Sequence, residues 1–283
     1  CSEECQKSDL KDHKKICIDS NTPVTLSYIV SKMWKILLDG VRLPVWYKQK
    51  YSGYEIIDGR KYWMLEMCDT LIEGNIKDYF RKECGMKSDD EFYQFFCAGK
   101  CGAFSLALGL VIRDLLNRGT KIVKGDDNAR MIKVEACKLA VMEDFKFEQC
   151  VNCYEKNRDT VPIEKWDCDY TGSEFHTAIL LTTDTGARLV LDTTAYQYGV
   201  CSMNLDEYPM HLQYITSSYN ESCVHYANLH SIISVEECWK EQTKKINANT
   251  DRIAMASILL GELRKELNIQ EPKRVDVKVQ VRG

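Results

Sequence analysis

Two apolar runs, Phe175 to Thr182 (FHTAILLT) and Arg188 to Thr193 (RLVLDT), are separated by Asp184-Thr185-Gly186. That turn chemistry between β-favouring runs predicts an antiparallel hairpin. The last residues, RVDVKVQVRG, alternate strictly, with Val275, Val277, Val279 and Val281 on one face, and predict a terminal strand. Most of the remaining order is helical. Thr22-Pro23 offers a cap and a first-turn proline, Gly40 a stop, and Leu26, Ile29, Val30, Met33, Trp34 and Leu37 share one face between them. Asp69 to Cys84 reads as a second helix ended by Gly85, and Ser88 to Phe96 as a short third. AFSLALGLVIRDLLNRG is a strongly apolar fourth, closed by Gly119. Residues 43–67 look mixed, with short strands around Val45–Tyr47 and Tyr62–Met67. Val235 to Leu267 is rich in helix formers, with a break expected at Asn247-Ala248-Asn249-Thr250. The stretch 201–229 has no clear period, and 120–170 reads as an insertion with loops. The sum is an α+β chain: a small block over 1–20, then one main domain over 21–283. There are no repeats and no low-complexity linker.

Composition narrows the function classes. The 283 residues are 45% hydrophobic and 28% charged, as in an ordinary globular protein. A net charge of −4 gives no reason to expect nucleic acid binding. Lys7, Lys11, Lys14 and Lys15 sit among Glu3, Glu4, Asp9 and Asp12, so that segment reads as a solvated face. No apolar run approaches the ~18 residues that would span a membrane. Fourteen cysteines in a chain long enough to build its own core, some at metal-like spacing, point to reduced thiols and hence to the cytoplasm or nucleus. The chain starts on Cys1 rather than Met, which leaves room for a lost leading or targeting segment.

The first chemical constellation is CSEECQKSDLKDHKKIC. Cys1 and Cys5 are separated by three residues, Cys5 and His13 by seven, and His13 and Cys17 by three. Cys and His are the ligands zinc prefers. The pattern C-x3-C-x7-H-x3-C, with Gln6 after the second cysteine and His13-Lys14 before the last, resembles the second half of a MYND-type zinc finger. That resemblance implies two interleaved Zn²⁺ sites in the intact finger, Cys1 and Cys5 belonging to one and His13 and Cys17 to the other. The first four cysteines are not in this sequence, so each site would have two of its four ligands here, too few for a firm structural zinc. The family resemblance also implies a protein or peptide partner bound through the finger.

The second constellation is Cys101, His176 and Asp192. Cys101 lies between closely spaced glycines (Gly99-Lys100-Cys101-Gly102) just ahead of the apolar helix. A helix N-terminus stabilises a thiolate, and a nucleophilic cysteine also needs a base. His176 is early on one hairpin strand and Asp192 ends the other, sixteen residues later. Across an antiparallel pair they can hydrogen-bond, the carboxylate fixing the imidazole tautomer. GKCGAFSLALGLVIRDLLNRG and EFHTAILLTTDTGARLVLDTT, in this order, resemble the nucleophile helix and the His and Asp strands of the transglutaminase-like branch of papain-like thiol enzymes. That resemblance implies a helix carrying Cys101 packed on an antiparallel sheet. The 75-residue gap between Cys101 and His176 requires an insertion. Gln94 is the candidate for an oxyanion partner, or an ordinary polar helix residue.

Weaker signals accompany these two. Cys150-x2-Cys153 with Cys168 and Cys137 suggests either a loop-stabilising metal site or unrelated cysteines. His211, Cys223, His225 and His230 have no convincing ligand spacing and read as scattered loop residues. Tyr196, Tyr198, Tyr208, Tyr214 and Tyr219 either line a cleft or pack. Two function classes follow. One is an adaptor whose finger recruits a partner and whose large domain is a scaffold. The other is a thiol hydrolase or acyltransferase in which His176 activates Cys101.

Overall fold

The structure is a computed structural model that describes residues 23–39, 49–57, 60–67, 75–83, 86–97, 100–124, 129–142, 152–153, 175–200, 210–218, 221–244 and 246–269. The fold is α+β. The first helix among the described residues, α1 (Leu26–Leu38), buries the apolar face expected of it. The cap is Thr25, whose side chain accepts from the Tyr28 backbone N–H, rather than Thr22. The start moves because Val24–Thr25 is a short strand, β1, paired in parallel with β4 (Ile122–Val123). Helices α2 (Ile76–Glu83) and α3 (Asp89–Cys97) follow. Ser88 caps α3 through the Glu91 N–H, and the Glu91 carboxylate reaches back to the Lys87 N–H.

Helix α4 (Cys101–Asn117) is the centre of the molecule. Residues from Ala103 to Ile112 are buried without a polar face, which is what a helix apolar on all sides requires. Gly119 closes it in the left-handed region, at φ 77°. Trp34 of α1 sets its N-terminal half, with ring centroids 5.3 Å from Tyr93, 6.0 Å from Phe96 and 5.9 Å from Phe104.

The main sheet comprises β5 (Arg130–Val141), β7 (His176–Thr183), β8 (Arg188–Asp192), β9 (His211–Tyr214), β10 (Thr216–Ser218), β11 (Glu221–Val224) and β12 (Ala227–Ile233), in the order β10-β11-β12-β5-β7-β8-β9, with β4 also on β5. Its pairs are antiparallel apart from β1–β4. The two ends of that order, β9 and β10, are neighbours in sequence with only Ile215 between them. The sheet therefore curls back on itself, and both faces are covered. Ala136, Ile179, Leu181, Leu189 and Leu191 face the helices. Cys137, Ala178, Leu180 and Val190 join Val224, Tyr226 and Ala227 in a second core on the inner face. This two-sided burial explains why β7 and β8 are continuous apolar runs.

A second sheet pairs β2 (Gln49–Ile57) with β3 (Arg60–Met67) and β3 in parallel with β6 (Asn152–Cys153). Helices α5 (Val235–Lys244) and α6 (Ile246–Glu266) complete the described chain.

Several expectations shift. Within 120–170, residues 130–141 form the strand between β7 and β12. The 201–229 region builds β9, β10 and β11 from pieces too short to display a period. No break falls at Asn247–Thr250, which lies inside α6. The strands expected at 45–47 and 275–281 lie outside the described residues.

Candidate active site

Cys101, His176 and Asp192 come together. Helix α4 presents Cys101 at its first position, with no side-chain cap over that end. The first-turn N–H groups of a helix have no intrahelical acceptor and carry partial positive charge. Strand β7 begins with His176, and its neighbour β8 ends with Asp192. The helix is fixed on the strand by Ser105 Oγ, which donates to the Thr177 carbonyl at 3.0 Å.

His176 is 3% exposed and Asp192 is fully buried. His176 Nε2 lies 2.5 Å from Asp192 Oδ2. With Nε2 committed to the carboxylate, Nδ1 faces the Gln197 amide nitrogen at 3.3 Å, and the Cys101 thiol lies near enough to that ring and to the Thr177 backbone for both to favour its thiolate. Asp192 is held from the other side as well. The Tyr226 hydroxyl donates to Oδ2 at 2.5 Å, and the Thr194 N–H and hydroxyl donate to Oδ1 at 2.7 and 2.9 Å. The Tyr198 ring meets the imidazole edge-on at 4.9 Å and 85°.

The electrostatics follow from this geometry. Burial pushes the Cys101 thiol up, but the His176 imidazolium, the hydrogen bond to its ring and the Thr177 N–H outweigh it, and the thiol lies below its ordinary value. Burial pushes His176 down, while the Asp192 charge and the Cys101 thiolate push it up to about 10. For Asp192 burial raises the value, and His176, Tyr226 and Thr194 lower it further than burial lifts it. The three groups thus favour thiolate, imidazolium and carboxylate together. Cys97, Cys137 and Cys238 differ. Burial drives Cys97 far above the thiol range, Cys137 to about 12 and Cys238 to about 11. Of these four cysteines, Cys101 is the one placed for nucleophilic chemistry.

The remaining candidates separate. Gln94 is half-buried on α3, and the amide that reaches the site is that of Gln197, whose nitrogen is 3.3 Å from His176 Nδ1. His211 is buried, with Nε2 3.2 Å from Gln213 Oε1 and its ring 5.3 Å from Tyr226. His230 instead stacks on Phe175. Tyr196 packs against Tyr93 at 5.5 Å, and Tyr214 is exposed beneath Lys124. Tyr208 and Tyr219 lie outside the described residues, as do Cys1, Cys5, His13, Cys17, Cys150 and Cys168. Among the described residues no group of three or more His, Cys, Asp or Glu could hold a metal ion. None of the described helices is long and apolar enough to cross a membrane.

Sequence reading missed Thr194, Gln197 and Tyr226, and named Tyr198 only among tyrosines that line a cleft or pack. Thr194 was accessible, because an Asp whose side chain accepts from the N–H two residues on is a common local turn. Tyr226 was not, since it reaches Asp192 only through the folded sheet. No protein-family model, curated protein or solved structure matches this chain.

Proposed function

We propose that the chain is a thiol acyl-transfer enzyme, a hydrolase or acyltransferase acting on amide or ester carbonyls through Cys101, His176 and Asp192. The observation that carries this reading is the buried relay from Asp192 through His176 to a thiol at a helix start. In the reaction the Cys101 thiolate attacks the carbonyl carbon and the carbonyl electron pair moves to oxygen. The oxyanion lies near the helix N-terminus, where unpaired N–H groups can stabilise it. The carbonyl re-forms, the bond to the amine or alcohol breaks, and the His176 imidazolium gives that leaving group its proton. Neutral His176 then takes a proton from water or an acceptor amine, which attacks the thioester and releases Cys101. Asp192 keeps Nε2 protonated and offsets the imidazolium charge throughout.

The order Cys–His–Asp, the nucleophile on a buried helix and its two partners on adjacent antiparallel strands support a papain-like, transglutaminase-like core. The Cys1, Cys5, His13 and Cys17 block would, on its resemblance to a MYND-type finger, bind zinc once its missing ligands are supplied and select a protein partner.

The test is alkylation of the native protein by iodoacetamide across pH, with each site assigned by mass spectrometry. The lowered thiol is ionised above its own value and loses the thiolate as pH falls through it. The raised imidazole keeps its proton below about 10 and loses it as pH rises through that value. The ion pair occupies the window between, so Cys101 labels rapidly at neutral pH. In His176→Ala the burial remains and the compensating cation is gone, and the neutral-pH rate falls about tenfold or more. An inert Cys101 in the wild type, or one indifferent to His176→Ala, refutes the enzyme reading and leaves the scaffold.

A further inference from the structure

We infer that Phe175 and His230 form a planar wall of the acyl site beside Cys101, and that the site takes an acyl group carrying an aromatic ring. This rests on the thiol acyl-transfer reading and adds its substrate class. The two rings are stacked, with centroids 3.8 Å apart and planes 27° apart. Phe175 is half-buried and His230 exposed, so the stack stands at the surface.

Its position relative to the nucleophile follows from register. Along α4 and β7, Ser105 meets Thr177, and a Cβ on Gly109 would lie 3.9 Å from Ile179. Four helix residues and two strand residues each advance about 6 Å. One turn before Ser105 is Cys101, and two residues before Thr177 is Phe175. Phe175 immediately precedes β7, whose Ile179 and Leu181 pack with the helix core.

His230 reaches Phe175 through an irregularity. The β12–β5 register passes from Leu229↔Leu139 to Ser231↔Lys138, leaving His230 as an extra residue. Leu139 is also the partner of His176 across β5–β7. Bulges of this kind re-aim a side chain beside a site. Among the described residues nothing lies within 4 Å of the place a Cβ on Gly102 would take, so the approach to the helix start is open on that side. A substrate carbonyl arriving there would carry its acyl group past the stack. Offset stacking on a ring favours a planar group over a saturated one of equal size.

The experiment compares alkylation of Cys101 by 2-iodo-N-phenylacetamide and by 2-iodo-N-cyclohexylacetamide, each rate divided by that with glutathione thiolate. The wild type is expected to prefer the phenyl reagent about three- to tenfold. His230→Ala should bring the normalised ratio close to one, and His230→Phe should keep it. A ratio near one in the wild type, or one unchanged in His230→Ala, overturns the aromatic wall while rapid labelling by iodoacetamide leaves the enzyme reading standing. If iodoacetamide itself does not label Cys101 at neutral pH, both fall.

Discussion

Three consecutive residues at the end of β8 meet the cost of burial in different ways. Asp192 is a fully buried carboxylate, yet it receives donors from His176, Tyr226 and both polar groups of Thr194. Thr194 is satisfied by the same contacts. Thr193 lies between them, 2% exposed, and its hydroxyl oxygen has no hydrogen-bond partner among the described residues. An orphaned buried hydroxyl costs its lost hydration without return, on the order of 1–3 kcal/mol. Valine has the same shape and no polar atom. Thr193→Val should therefore raise unfolding stability by about 1 kcal/mol, measured by urea denaturation at fixed pH. The same change at Thr194 should do the reverse, because it strips a donor from a buried charge. A loss of stability in Thr193→Val would mean that the hydroxyl has a partner after all.

At the scale of elements, the contact between α4 and the start of α5 is tight where sequence rules favour a larger residue. Gly109 sits mid-helix, where alanine is favoured by about 1 kcal/mol. A Cβ there would lie 3.2 and 3.3 Å from the two Val235 methyl carbons, and Val235 is itself buried. Overpacking of this kind costs roughly 1–3 kcal/mol. Gly109→Ala is expected to lose about 1 kcal/mol net, and to become stabilising once Val235→Ala has made room. A double-mutant cycle read by thermal or urea unfolding checks both signs. The same contact shows what a sequence conceals. Helix α4 was legible because its apolar run and Gly119 are local signals. The β7–β8 hairpin was legible because Asp184-Thr185-Gly186 names its own turn, with Gly186 at φ 81°. Together these placed Cys101, His176 and Asp192. Strand β5 was not legible. Arg130 to Val141 mixes charged and apolar residues without clean alternation: its register against β7 shifts between Met131 and Lys133, and Lys138 on it pairs with Glu241 of α5. The Thr22 cap failed because a two-residue strand, decided by Ile122 and Val123 far along the chain, outcompeted it.

Across the whole molecule, the helical core and the inner core of the curled sheet share the strands β5, β7 and β8, whose alternate side chains belong to one or the other. Neither core can come apart without exposing the other face of those strands. Buried thiols report on both. Cys97 and Cys238 lie in the helical core and Cys137 in the inner core. All three are shielded, and burial holds their thiols well above the ordinary range, so the native protein should not alkylate them on the timescale that labels Cys101. Unfolding restores ordinary reactivity. If the shared strands make one cooperative unit, a short iodoacetamide pulse at increasing urea should label Cys97, Cys137 and Cys238 with a common midpoint. Arg264, which donates to Asp114 at 2.7 and 3.0 Å, ties α6 to α4 and should make the helical side leave with the rest. Two separated midpoints, with Cys137 protected beyond Cys97 and Cys238, would show that the curled sheet survives alone. The helix carrying Cys101 could then leave while His176 and Asp192 stay paired, and the thiol would lose its lowered value before the protein lost its sheet.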